Sequence, residues 1–126
     1  MAEDSRRRLG KLGERLAADH LAALGYEVLE RNFRTRFGEL DLVARRAGFL
    51  VFCEVKTRLG PARPGPFGPL ASVGPRKRAQ LRRIAGQWLH ERSARSGTTQ
   101  ARFDVIGITL DAAGRVLSLE HLEDAF

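Results

Sequence analysis

The sequence predicts an α/β domain in which a mixed sheet carries helices on its faces, in the order α-β-β-β-α-β-β. Three observations lead there. Leucines at helical spacing occupy the first two dozen residues. Strand-like runs rich in Val, Ile and Phe follow, at 26–57 and again at 102–122, and a second helical stripe lies between these two blocks. The 126 residues are 43% hydrophobic and 29% charged, which suits one domain spanning 1–126 with a single core rather than a disordered chain.

Ser5 is placed to cap a first helix running to about Leu24, with Leu9, Leu12, Leu16, Leu21 and Leu24 near helical spacing and Gly25 as its stop. "YEVLERNF" (26–33) reads as a first strand. "LDLVA" (40–44) and "FLVFCEVKT" (49–57) flank "RRAG" (45–48), a short turn containing Gly48, and so form a β-hairpin. The stretch 59–75 holds all five prolines and forbids a regular element. A loop of that length, leaving directly from a charged strand, is expected to act as a flap that orders on binding, with a mere linker as the plain alternative. A second helix runs from Pro75 to about Ala94 with Leu81, Ile84, Ala85, Trp88 and Leu89 as its stripe. "RFDVIGITL" (102–110) and "RVLSLEHL" (115–122), joined by "DAAG", complete the sheet.

The net charge is +7, and the excess is local: residues 51–100 hold ten basic and two acidic side chains. Such a zone points to an anionic partner, most simply nucleic acid. A solvated surface is the plain alternative for a chain in which Arg outnumbers Lys nineteen to three. No run approaches the ~18 apolar residues of a membrane span. No apolar stretch follows the charged N-terminus, which argues against a secretory signal. One cysteine, Cys53, makes no internal disulfide and fits a reducing, cytoplasmic setting.

The hairpin carries the chemistry. Side chains alternate along a strand, so Glu54 and Lys56 share a face with Leu50 and Phe52, while Val51, Cys53 and Val55 share the other. A turn centred on Arg46 and Ala47 pairs residue i with residue 93 − i, which sets Asp41 opposite Phe52 and on the Glu54 face. Two carboxylates side by side repel unless a cation intervenes. A hard divalent ion such as Mg²⁺ or Mn²⁺ is the natural one, and a lysine beside it can position water or stabilise a phosphoryl group. Against this stands a structural ion pair between Lys56 and Glu54.

Asp41 followed by "EVK" (54–56) on the next strand resembles the PD-(D/E)xK nuclease superfamily, which includes restriction enzymes and archaeal Holliday-junction resolvases. More closely, "GKLGERLAADHLAALGYEVLERNFR", "GELDLVA", "VFCEVKTR", "KRAQLRRIAGQWL" and "RFDVIGI" are similar to the YraN family of predicted endonucleases, in that family's order over roughly residues 10–108. The resemblance implies a restriction-endonuclease-like α-β-β-β-α-β core with one further strand. It implies Asp41, Glu54 and the Val55 carbonyl as metal ligands, Lys56 as the catalytic lysine, and Glu14 of "GERLA" as an additional acidic ligand. The proline of the name is replaced by Leu40, and Glu39 alternates onto the Asp41 face. The activity implied is a Mg²⁺- or Mn²⁺-dependent endonuclease acting on DNA, including branched or recombination intermediates. A non-catalytic nucleic-acid-binding module, an adaptor in which Glu54 and Lys56 merely pair, and an RNA-directed nuclease are the alternatives. Resolvases of the superfamily pair two subunits across a junction, which leaves room for a homodimer.

Arg58, Arg76, Lys77, Arg78, Arg82 and Arg83 are the candidate phosphate contacts. Arg82 and Arg83 diverge by about 100° around a helix, and Arg58 and Lys77 are favoured. Cys53 and Trp88 read as core. His20, His90 and His121 are widely spaced and show no metal-ligand pattern.

Overall fold

The computed structural model describes residues 2–60, 73–96 and 100–126, with the side chains of residue 2 and of 93–96 outside the description. The predicted flap falls mostly on 61–72 and so lies outside the described residues. The elements are α1 (Ala2–Ala23), β1 (Glu27–Thr35), β2 (Gly38–Arg46), β3 (Phe49–Leu59), α2 (Pro75–Ser96), β4 (Gln100–Leu110) and β5 (Val116–Leu122). The predicted order of helices and strands holds. α1 begins three residues before Ser5, so that serine lies inside the helix, and Glu3 and Asp4 carry the favourable charge of the first turn.

One sheet contains all five strands in the order β1-β2-β3-β4-β5. Neighbours are antiparallel except β3 and β4, which run parallel; a parallel pair needs a long crossover, and α2 lies within it. Each face of the sheet has its own core. Ala17, Ala18 and Leu21 of α1 pack on Leu42, Ala44, Val51, Cys53, Val55, Ile106, Ile108 and Leu110. Leu81, Ile84, Ala85 and Trp88 of α2 pack on Phe33, Leu40, Val43, Leu50, Phe52 and Val105. Burial on both sides explains why β3 reads as an unbroken apolar run up to Glu54.

The hairpin register differs from the predicted one. Val43, not Asp41, lies opposite Phe52, and Arg46 pairs with Phe49. The turn is therefore Ala47-Gly48, with both residues at positive φ (49° and 84°), as a type I′ turn requires. An alanine there gives little warning of the turn's centre. Replacing Ala47 by asparagine, which tolerates this conformation, is expected to stabilise the protein by ~1 kcal/mol in urea denaturation.

A second irregularity sits at the other end of β2. Leu40 and Val43 both lie in the α2-side core, whereas Leu42 and Ala44 lie in the α1-side core. Strict alternation is thus broken between Leu40 and Leu42, at Asp41. Across the ladder Arg31 pairs with Leu42 and Phe33 with Leu40, so the residue facing Asp41 is Asn32, whose φ is +54°. Local distortions of this kind re-aim side chains.

Candidate active site

The pairing of β2 with β3 ends at Leu42 and Cys53, and the next positions are Asp41 and Glu54. There the Asp41 side chain replaces the ladder: its Oδ2 accepts a 2.7 Å hydrogen bond from the Val55 backbone N–H. The N–H and C=O of one strand residue project to the same side. The Val55 carbonyl therefore also faces the gap beside Asp41.

Glu54 comes from the α2 face of β3 and is only 5% exposed; Asp41 is 9% exposed. Lys56 Nζ stands 3.8 Å from Glu54 Oε1, as alternation along β3 predicts. Lys77 Nζ, from the first turns of α2, stands 3.8 Å from Glu54 Oε2. Lys77 was expected at a phosphate; it lies instead against a carboxylate of the site, because its position on α2 puts it on the sheet-facing side one turn before Leu81. Glu54 Oε2 is buried and accepts no hydrogen bond. Burial, then the neighbouring Asp41 carboxylate, push the Glu54 carboxyl up to about 8, against the pull of Lys77 and Lys56. With no cation bound, this carboxyl is largely protonated at neutral pH.

α1 approaches from the opposite side. Gly13 lies so close to β3 that a Cβ on it would overlap Thr57 Oγ1 and come within 2.8 Å of Thr57 Cβ. Only glycine permits this approach, and the next residue is Glu14. One carboxylate oxygen each from Glu14, Glu39 and Asp41 falls within a sphere where all lie within 4.8 Å of one another. Burial and then the Asp41 and Glu39 charges raise the Glu14 carboxyl, while the Asn32 side chain acts in the other direction. Glu39 is also held by Arg34 at 3.1 Å on the exposed edge. Asp41 is thus reached by α1-side acids and by Glu54 at once, which a simple shared face does not describe; the break in alternation at Asp41 makes the difference.

The donors gathered here are carboxylate oxygens and one backbone carbonyl. That set suits a hard divalent cation such as Mg²⁺ or Mn²⁺ and offers no nitrogen or sulfur to softer ions. The orphaned, buried Glu54 oxygen fits such an ion, since a second carboxylate beside it is otherwise a repulsive neighbour.

The other predicted contacts separate. Arg58 lies on the α2 face of β3 and donates to Thr109 Oγ1 at 3.1 Å. Arg78 donates to the Val73 carbonyl at 2.9 Å, and Arg76 is exposed at the start of α2. Arg82 and Arg83 do diverge: the first lies over the Phe126 ring, the second over Phe37. Cys53 is fully buried and Trp88 is core, its indole N–H donating to Glu30 at 2.9 Å.

One constellation has no counterpart in the reading of the histidines. His20 Nε2 lies 3.0 Å from His121 Nδ1, and His121 Nε2 lies 2.7 Å from Asp104 Oδ2. The two histidines are 101 positions apart, and no local spacing relates them. Asp104 is fully buried and also takes two hydrogen bonds from Arg102 (2.8 and 2.9 Å) and one from the Asp124 N–H (3.0 Å). This group lies on the α1 face of the sheet, away from the Glu54 and Lys56 side chains.

No helix among the described residues is long and apolar enough to cross a membrane. The model of the Uncharacterised protein family UPF0102 matches residues 13–108, the stretch that holds Glu14, Glu39, Asp41, Glu54, Lys56 and Lys77. A UPF0102 protein of Acidothermus cellulolyticus is 50% identical over 113 residues, covering 82% of this chain and 83% of its own. UPF0102 proteins of Frankia casuarinae (47% over 119 residues; 94% and 95% covered) and Frankia alni (46% over 127 residues; 100% of both) are similarly close. Matched through the strands and helices that build the site, and along the whole length of such relatives, the chain belongs to the UPF0102 (YraN) family.

Proposed function

We propose that this protein is a metal-dependent endonuclease of the PD-(D/E)xK type that hydrolyses phosphodiester bonds in DNA. The observation that carries the reading is the Glu54 carboxylate: buried, beside Asp41, with one oxygen accepting no hydrogen bond and a lysine 3.8 Å from each oxygen. A buried acid pair costs stability in the absence of a cation, and a module that only binds nucleic acid has no use for carboxylates beside phosphates.

Asp41, Glu54, the Val55 carbonyl and Glu14 would hold Mg²⁺ or Mn²⁺, with Glu39 at the outer edge of the same cluster. When bound, the cation supplies Lewis-acid polarisation of the phosphoryl group and of the attacking water. The Val55 N–H fixes the Asp41 carboxylate so that its remaining lone pairs face the gap. Lys56, 38% exposed beside Glu54, orients the attacking water and offsets charge on the phosphoryl oxygens. Lys77, 3.8 Å from the other Glu54 oxygen, favours the deprotonated carboxylate that a cation would bind. The resemblance to junction resolvases supports branched DNA as a substrate.

The test is cleavage of plasmid, single-stranded and four-way-junction DNA with Mg²⁺ or Mn²⁺. Wild type is expected to cut and an Asp41→Ala/Lys56→Ala variant to be inactive. Equal residual activity in the two proteins would mark a contaminant and end the catalytic reading.

A further inference from the structure

Several described arginines pair with carboxylates, several lie over aromatic rings, and Arg92 and Arg102 do both. Arg34, Arg45, Arg92 and Arg102 have carboxylate partners. Arg36, Arg78, Arg82 and Arg83 have no carboxylate partner among the described residues, and their guanidinium groups lie over aromatic rings. Arg36 and Arg83 both stand over Phe37, at 4.8 and 4.9 Å from its centroid. Arg78 and Arg82 stand over Phe126, which in turn stacks on Phe103 at 5.0 Å. Both clusters flank α2, one on each side.

The Phe37 cluster is the one tied to the candidate site. Phe37 is the half-buried residue of the β1–β2 turn, and its carbonyl accepts a hydrogen bond from Gln80 of α2. Three residues earlier on the same helix, Lys77 reaches Glu54. Arg83 is six residues beyond Lys77, so about 9 Å along the helix axis. A strand whose phosphate sits between Lys56 and Lys77 and which runs along α2 reaches the Phe37 cluster within a few nucleotides.

Phosphate contact needs positive charge, which lysine and arginine both supply, but only arginine adds a planar surface. Two planar guanidinium groups laid against a ring provide a stack of flat surfaces, on which an unpaired base can lie. The bases of a duplex are already stacked on each other and have no free face to offer. We infer that Arg36, Phe37 and Arg83 form a stacking platform for unpaired nucleotides next to the cleaved bond, so that the preferred DNA has a single-stranded segment there. This rests on the nuclease reading for its substrate class.

The test is binding, measured without divalent metal by fluorescence anisotropy in EDTA, on a single-stranded DNA, the matching duplex and a single-stranded RNA. Phe37→Leu keeps apolar bulk in the turn and removes the ring; an Arg36→Lys/Arg83→Lys pair keeps the charge and removes the planes. Each variant is expected to lose at least about fivefold in single-stranded DNA affinity, the lower end for one stacked base, and to hold duplex affinity within about twofold. Melting temperatures close to wild type, expected for a half-exposed turn residue and two exposed arginines, exclude misfolding. Equal losses on duplex and single strand, no loss on either, or binding to RNA but not DNA would overturn the platform. Should the variants behave as expected while wild type cuts nothing with Mn²⁺, the nuclease reading fails and the platform stands.

Discussion

Replacing Asp104 by alanine is expected to cost about 3–5 kcal/mol of stability, the loss typical of breaking one partner out of a buried charge pair. For a chain of this size that corresponds to a fall of roughly 10–20 °C in melting temperature. The carboxylate is fully buried and satisfies three neighbours at once: the Arg102 guanidinium, the His121 ring and the Asp124 N–H. Removing it leaves the Arg102 side chain, 13% exposed, without its close carboxylate partner; Glu123 stands 3.8 Å away on the surface. Burial pushes the Asp104 carboxyl up, but the hydrogen bonds from His121, Arg102 and the Asp124 N–H outweigh it and hold the group below its ordinary value. The sign for pH follows: a depressed folded pKa gives stability that is full above the ordinary carboxylate range and is lost as pH falls through it. Acid denaturation of Asp104→Asn should accordingly be shallower than that of wild type. A carboxylate only accepts, so His121 Nε2–H donates to Asp104, and the other nitrogen of the ring meets His20. Asp104 thereby ties β4, β5 and α1 together. Chemical denaturation and calorimetry check the result, and a variant melting with wild type would mean the network is idle.

How much of this was readable from the chain depends on what each feature leaves in it. The alternation along β3 is visible because both faces are buried, and it sets Glu54 and Lys56 side by side, as observed. The hairpin register was displaced because Ala47 occupies a left-handed position that glycine or asparagine would have announced. The error moved each partner by two residues and so preserved the facing side. The break at Asp41 is different in kind: a left-handed Asn32 and a shift from alternation leave no pattern, yet they let Glu14 and Glu54 address the same carboxylate. Lys77 was legible as a cation near the loop, but its rotation about α2, and so its contact with Glu54, depends on how Leu81, Ile84 and Trp88 seat that helix. The Asp104 network joins residues from α1, β4 and β5, and the three histidines carry no spacing that foretells it.

Replacing Glu54 by glutamine is expected to raise stability and abolish cation binding together, a combination that separates a site from a structural pair. The wild-type carboxyl is lifted to about 8 by burial and by Asp41, so between its ordinary value near 4.5 and about 8 the folded protein binds more protons than the unfolded chain. The Glu54 contribution to the stability of the metal-free protein then falls as pH rises across that window and levels off above it. A shift of that size is worth a few kcal/mol at its upper limit, each pKa unit being about 1.4 kcal/mol. Glutamine keeps the shape, carries no charge and removes the slope, so in EDTA at pH 8 the variant should melt above wild type. Mn²⁺ should reverse the order: it binds the deprotonated carboxylates of wild type and raises its melting temperature, more strongly at higher pH, while the variant responds at least about tenfold more weakly in titration. A merely structural pair with Lys56 and Lys77 predicts the opposite, a less stable glutamine variant and no Mn²⁺ response in either protein. Thermal melts at pH 5, 6.5, 8 and 9, with and without Mn²⁺, decide between them.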